Sequence, residues 1–325
     1  MTSSRITILR ILSDGEFHSG KLMGDRLAIT RAAVNKIIQQ LCASGLEIHS
    51  VTGKGYRLAE PLELLDRDRV MSIINGSGHS DVELEIHEQL ESTSRYLVDK
   101  KSLSENSLVC MAEHQTAGRG RRGRLWQATP YRNILISVSQ RLPLRPPQVA
   151  GLSLAIGVGI VESLEVFGYR GVKLKWPNDL MWEGHKLGGV LVDMQGESEG
   201  PTRLVVGLGL NLHMVNQDAE SIDQPWVDLR NVPGPPTVSR NELAGHLAVA
   251  MISVFHEFVD KGFESFRNRW LSRNAYADKP VVLIQGDSTE EGIIQGVDEY
   301  GALLLRTSAG ISAHHSGEVS LRLMK

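Results

Sequence analysis

Apolar positions at helical spacing open the chain. In residues 5–13, Ile8, Leu9 and Leu12 share one face, and Asp14-Gly15 ends the helix that they predict. Ser19 caps a second, short helix over 20–27, Ala28-Ile29 makes a tight connection, and Thr30 caps a third. On that third helix Val34, Ile37, Ile38 and Leu41 form one apolar stripe, with Arg31, Asn35, Lys36 and Gln39 mostly off it. After Gly45 the pattern becomes that of two strands, 46–51 and 52–58, joined at a basic, glycine-rich tip around Lys54. A short helix, a tight turn and a helix with a polar outer face make the helix-turn-helix pattern, and the hairpin supplies a wing. Arg31 and Asn35 lie one turn apart, and both residue types read base edges. Thr30, Lys36 and, on the wing, Lys54 complete the expected DNA contacts. A three-helix packing unit that binds no DNA is the alternative, and the wing favours DNA.

Pro61 punctuates this unit. A linking helix is predicted over 62–74, ended by Asn75-Gly76-Ser77-Gly78. Strands are predicted at 82–87, 107–113, 133–139, 172–176, 185–192 and 204–212. Helices are predicted after Ser92, over 149–167, and from the capping box Ser239-Arg240-Asn241-Glu242. Residues 215–236, with four prolines, read as loop. After Tyr276 come five short strands between glycine turns, which suggest a small barrel. The body's strands lie close together with few helices between them. That predicts an α+β fold, with a mixed sheet carrying helices on one side. The expected domains are 1–62, 63–275 and 276–325.

Composition narrows the classes. The chain has 325 residues, 41% of them hydrophobic, and a net charge of -3, so it is not an electrostatic nucleic-acid binder as a whole. Residues 1–60 hold 8 basic and 5 acidic side chains against 27 and 33 in the remainder, a mildly basic head on an acidic body. Two cysteines without a C-x-x-C exclude a disulfide framework and a cysteine zinc site, and suit a reducing cytosol. No signal peptide is expected, because Ser3-Ser4-Arg5 leads straight into the first amphipathic pattern. The longest apolar run, 149–161, is too short to span a bilayer.

The chemistry is expected at residues 118–124, where three glycines and four arginines fall together. Glycine lets the backbone approach a ligand closely, and arginine suits phosphate and carboxylate. The loop matches G-x-G-x-x-G, but the helix that a dinucleotide site needs is missing, since Leu125-Trp126-Gln127-Ala128-Thr129-Pro130 follows. A disordered RGG-like arm is disfavoured, because the copy is single and lies inside a globular stretch. Lys175-Trp176-Pro177-Asn178-Asp179 is the second candidate. Pro177 takes the chain out of the sheet, and Asn178 and Asp179 offer oxygen to Mg²⁺ or simply make a turn. Lys186, before Leu187-Gly188-Gly189, is the third. Ser92 offers a hydroxyl to a ligand or serves as an N-cap.

These segments together resemble the biotin–protein ligases: Glu-Ser-Thr before a helix, Gly-Arg-Gly-Arg-Arg-Gly, Lys-Trp-Pro-Asn-Asp, Lys-Leu-Gly-Gly-Val-Leu and Gly-Leu-Gly-Leu-Asn. The winged head makes the chain resemble the bifunctional subgroup, the biotin operon repressors. The resemblance covers essentially the whole chain. It implies formation of biotinyl-5′-adenylate from biotin and ATP, then transfer to a lysine of a biotin carboxyl carrier protein. It further implies that the adenylate acts as corepressor, favouring a homodimer on operator DNA. The C-terminal barrel would be SH3-like. Ser92, Thr93, Ser94 and Gln115 would hold the biotin ring, and Gly118, Arg119, Gly120 and Arg121 would line the ligand, with Arg121 nearest the phosphate. Lys186 would contact the carboxylate or α-phosphate, and Gly189 would border the tail channel. Lys175, Asn178 and Asp179 would serve ATP and Mg²⁺, with Asn211, Trp226 and Arg322 near the nucleotide. A lipoate or octanoate transferase and a purely sensing transcription factor are the rivals. Ser92, Thr93 and Gln115 tilt towards the polar biotin ring.

Overall fold

The computed structural model describes residues 4–100, 106–195, 201–214, 222, 224–317 and 319–324. Residues 215–221 and 223 of the expected 215–236 loop lie outside the described residues.

The head holds α1 (Ser4–Leu12), α2 (Gly20–Leu27), α3 (Arg31–Ala43) and the hairpin β1 (Ile48–Val51) with β2 (Gly55–Leu58). The expected stripes form its core, with Ile8, Leu9, Leu12, Val34, Ile38 and Leu41 all buried. The Thr30 hydroxyl accepts from Ala33 N–H at 3.1 Å and starts α3. Gly55 fastens the wing to the head, since a Cβ there would lie 2.0 Å from the His18 carbonyl oxygen.

The body follows with α4 (Arg67–Gly76), β3 (Glu83–Leu90), α5 (Thr93–Asp99), β4 (Leu108–Gln115), β5 (Ile134–Leu142) and α6 (Leu152–Val166). Then come β6 (Lys173–Lys175), β7 (Asp179–Trp182), β8 (His185–Gln195), β9 (Thr202–Leu210), α7 (Arg240–Lys261) and α8 (Glu264–Leu271). Its seven strands run in the order β3-β4-β5-β9-β8-β7-β6. The β3–β4 pair is parallel and the other pairs are antiparallel, so the sheet is mixed. Strand alternation divides its side chains between two faces. Val109, Met111, Ile136, Val138, Leu204, Val206 and Leu208 join the core under α4, α6 and α7. Leu108, Cys110 and Val205 point the other way and pack on Leu97 of α5. Helices therefore cover both faces, not one.

Three further expectations are corrected. Residues 62–66 precede a helix that starts only at Arg67. There the Leu65 and Asp66 N–H groups are spent on Glu113 and Asn241, and Asp66 caps α4. The turn expected at Asn178-Asp179 leads straight into a strand that the sequence pattern does not predict: Asp179 opens β7, pairing with Lys175 across a tight hairpin. Five strands close the chain: β10 (Pro280–Gln285), β11 (Ser288–Val297), β12 (Leu303–Thr307), β13 (Gly310–His314) and β14 (Val319–Leu323). Their order, β13-β12-β11-β10-β14, leaves β13 and β14 as the two ends of an antiparallel sheet that is not closed into a barrel. Short alternating strands carry no information on closure. Two helical stretches, Pro146–Val166 and Arg240–Lys261, are long and apolar enough to cross a membrane, and each has 56% of its most apolar window buried inside the fold.

Head and body meet at a polar seam. Glu60 accepts from Arg132 at 2.8 Å and lies 3.3 Å from His213. Burial, with Arg132 and Arg230 nearby, pushes the His213 imidazole from 6.5 to about 4. The unfolded chain thus binds a proton that the folded chain refuses between those values. Stability at this site is whole above about 6.5 and is lost as pH falls towards 4. His213→Gln is expected to flatten that acid limb in thermal melts at pH 7, 6 and 5.

Candidate functional site

The α5 face of the sheet carries a cavity of about 460 Å³. Its floor is glycine. Gly207 and Gly209 of β9 face Leu191 and Gly189 of β8 across the ladder. A Cβ on Gly207 would fall 2.4 Å from the Ser94 hydroxyl, and one on Gly209 would fall 2.4 Å from the Trp126 ring. The sheet is bare here because α5 and the segment after the arginine loop press directly on its backbone.

One end of the cavity is a cluster of neutral polar groups. The Gln115 side-chain oxygen accepts from Thr93 N–H at 2.6 Å and from the Thr93 hydroxyl at 3.0 Å. The Ser137 hydroxyl lies 2.7 Å from that of Thr93 and 3.1 Å from that of Ser94. Ser92 caps α5, accepting from Arg95 N–H, and also lines the cavity. Both of its expected roles are therefore compatible.

The other end is cationic. Lys186 Nζ lies 2.6 Å from one Asp179 carboxylate oxygen, and Lys175 Nζ lies 3.5 Å from the other. Burial pushes the Lys175 ammonium below its ordinary value, and Asp179 partly offsets this. Lys186 Nζ also sits 5.6 Å from the centre of the Trp126 ring. Asn178 holds the hairpin, donating to Val190 O at 2.8 Å, and accepts from Arg121 at 3.3 Å.

The arginine loop closes over this end. Trp126 N–H donates to Gly118 O, and Gly120 N–H to Arg124 O, both at 2.8 Å. Arg122 and Gly123 take left-handed backbone angles, with φ of 58° and 70°. Arg121 donates to the backbone oxygens of Ser316 and Gly317, which ties the loop to the segment between β13 and β14. Burial lowers its pKa from the ordinary value. Among the described residues six cations line the cavity (Arg119, Arg121, Arg122, Arg124, Lys175 and Lys186) against one carboxylate, Asp179. Such a wall suits an anionic ligand.

Residues 86–211 match the biotin/lipoate A/B protein ligase family, 4–57 match an HTH domain, and 277–322 match the biotin protein ligase C-terminal domain. The bifunctional ligase/repressor BirA of Salmonella typhimurium is 39% identical over 99% of this chain and 98% of its own length. The chain belongs to the biotin–protein ligases. The Escherichia coli BirA is 35% identical to this ligase over 98% of this chain and 97% of its own. A biotin protein ligase from Aquifex aeolicus in complex with biotin and ATP superposes with a TM-score of 0.61 at 28% identity, covering 74% of this chain and 99% of that one.

Nearly all the expected site residues of the ligase meet around one cavity: Ser92, Thr93, Ser94, Gln115, Arg119, Gly120, Arg121, Lys175, Asn178, Asp179, Lys186, Gly189, Asn211 and Trp226. Two do not line it. Gly118 supports the loop from behind, since a Cβ there would lie 2.6 Å from Trp126 O. Arg322 is exposed, on a residue of β14 paired with Val282. Asn211 is 3% exposed and spends its amide on Val227 O at 3.0 Å, so it also braces the adjoining loop.

Trp126, Ser137, Gly207 and Gly209 had no assigned role from sequence. Ser137 carried the clearest signal, a serine inside an apolar strand. On the head, Arg31, Lys36 and Lys54 are exposed. The Thr30 hydroxyl is taken by its cap, and the Asn35 amide donates to the Tyr56 hydroxyl at 3.0 Å. Gly209→Ala tests the floor. It should push Trp126 into the cavity and weaken biotin binding by about tenfold or more. Isothermal titration together with an unchanged far-UV spectrum would separate this from misfolding.

Proposed function

We propose that this ligase joins biotin to ATP and passes the biotinyl group to a carrier lysine, and that its head represses transcription when the adenylate is bound. The observation that carries the reading is the two-ended cavity, with hydroxyls and an amide at one end and cations at the other. Biotin offers a neutral polar ring and a carboxylate, which match those ends. In the first step a carboxylate oxygen attacks the α-phosphorus of ATP and pyrophosphate leaves. Lys186 and Arg121 stabilise the negative charge gathering there, a contribution of several kcal/mol for preorganised cations. Thr93, Ser94 and Gln115 hold the ring, and Gly189 leaves room for the tail. Lys175, Asn178 and Trp226 face the nucleotide. In the second step the carrier's lysine nitrogen attacks the acyl carbon, and the acyl–oxygen bond to AMP breaks. The loop from Gly118 to Arg124 excludes water from this hydrolysable anhydride.

Mg²⁺ is expected with the ATP phosphates. Asp179 is the one carboxylate in the cavity wall among the described residues, and it already neutralises two lysines. No group of three or more His, Cys, Asp or Glu able to hold a metal occurs among the described residues. The described residues do not form a metal cage of their own.

The carrier is read as the biotin carboxyl carrier protein of acetyl-CoA carboxylase. The adenylate is read as the corepressor. It would favour a homodimer whose two heads meet a two-fold operator through Arg31, Asn35, Lys36 and Lys54. The functional divisions are 1–62, 63–275 and 276–325, the last read as an SH3-like unit. Two free cysteines, Cys42 and Cys110, suit a cytoplasmic setting.

Isotope exchange between ATP and pyrophosphate tests the first step. Exchange is expected with biotin and not with lipoate. Exchange with lipoate alone would make the chain a lipoate ligase, and none with either acid would leave a sensing repressor. Operator binding should tighten when biotinyl-adenylate is added, and equal affinity in both states would remove the corepressor role.

A further inference from the structure

Tyr131 lies five positions after Trp126, which covers the glycine floor. Thr129 and Tyr131 are each 1% exposed. The Tyr131 side chain is not part of the body's core. It belongs to the hydrophobic cluster of the DNA-binding head, with Leu9, Leu12, Leu41 and Leu58. Its hydroxyl accepts from Arg5 of α1 at 3.2 Å and lies 3.5 Å from Glu88 of β3, and Arg5 pairs with Glu88 at 3.0 Å. Its N–H donates to Glu113 O at 2.8 Å, two residues before Gln115. Its φ is +64°, a conformation that a non-glycine residue keeps only where its surroundings impose it.

The neighbouring residues continue the junction. Arg132 holds Glu60 at the end of the head, and the Asn133 side-chain oxygen accepts from Leu212 and His213 N–H, just past Asn211. Three segments that line the ligand cavity therefore run directly into the seam with the head: 126–131, 113–115 and 211–213.

We infer that Tyr131 is a positioning residue for the ligand site: seated in the head's core, it fixes the 126–131 segment and so holds Trp126 over Gly209. The inference rests on the adenylate-forming reading above. Its consequence is that the ligase retains its intermediate better when the head is seated. By linkage, bound adenylate steadies the head to the same extent. A Tyr131 that only glued two units together would change head stability and leave the ligand site alone.

The test uses the full-length protein loaded with biotin and ATP, and follows release of biotinyl-adenylate in a chase. Tyr131→Ala is expected to speed release about tenfold and to raise the KM for biotin in parallel, with kcat for transfer within about twofold. Tyr131→Phe, which keeps the aromatic ring, should restore most of the retention. Arg5→Ala touches no cavity residue, yet it should speed release two- to threefold and add nothing further to Tyr131→Ala, the non-additivity of one shared junction. Release from Tyr131→Ala within about twofold of the parent, with the head folded by hydrogen exchange, would overturn the inference. If that variant loses the head's fold, Arg5→Ala and Tyr131→Phe decide, and parental release from both would overturn it equally. A parent protein that forms no adenylate would instead defeat the proposed function.

Discussion

Arg121→Gly is expected to release biotinyl-adenylate about 100-fold faster than the parent, the scale set by losing one preorganised donor. Among the four loop arginines Arg121 alone is not exposed. Its guanidinium faces Asn178 at 3.3 Å and the carbonyls of Ser316 and Gly317, at the cationic end of the cavity. Glycine removes the charge and also loosens a loop already rich in glycine. Lys186 and Lys175 remain, so adenylate still forms. The escaped anhydride then acylates whatever amine it meets, so labelling should spread from the carrier to bystander proteins in a mixed solution. A filter-binding chase and a streptavidin blot read the two effects. An unchanged release rate would remove Arg121 from the clamp.

Arg240→Ala is expected to cost about 3–5 kcal/mol of stability, the range for stranding one partner of a buried pair. That corresponds to roughly 10 °C in Tm for a domain of this size. Arg240 Nη1 lies 2.5 Å from Glu113 Oε2, and both side chains are 4% exposed. Glu113 Oε1 also accepts from Leu65 N–H at 2.6 Å. The other Arg240 nitrogens donate to Asn133 O at 2.9 and 3.1 Å. One arginine at the start of α7 thus anchors the linker from the head, the strand leading into the arginine loop, and the strand beyond it. Removing it leaves a buried carboxylate with no cation. Adding Glu113→Leu should recover part of the loss, because the stranded charge is what costs most. A melt shift of under about 2 °C for Arg240→Ala would contradict this account of the junction.

The sequence and the structure agree where local patterning decides the outcome. The stripe from Val34 to Leu41, the caps at Ser19, Thr30 and Ser239, and the alternation of β8 and β9 each depend on near neighbours in the chain. Site residues were legible where unusual chemistry interrupts such a pattern, as at Arg119 and Arg121 between glycines, or at Lys175 before Pro177. Less was legible where the cause lies far along the chain. Phe266 and Trp270 stand four residues apart on α8, a short signal that the surrounding charges masked. The position of α5 depends on which face of the sheet it covers, and no periodicity states that. Trp126 reaches the cavity by lying against Gly209, and Ser137 stands beside Gly207 through the register of β5 and β9, both contacts between residues far apart in the chain. Tyr131 follows Pro130 outside any periodic pattern, and its place in another unit's core is a matter of tertiary packing alone.

The central claim is that the ligase makes an acyl adenylate and keeps it under the arginine loop. Incubating the protein with biotin and ATP labelled at the α-phosphate, then passing it rapidly through a desalting column, tests this most directly. The account predicts one labelled AMP per chain eluting with the protein, only when biotin is present, and discharged on adding a carrier domain. Protein eluting without label, or carrying label in the absence of biotin, would contradict it.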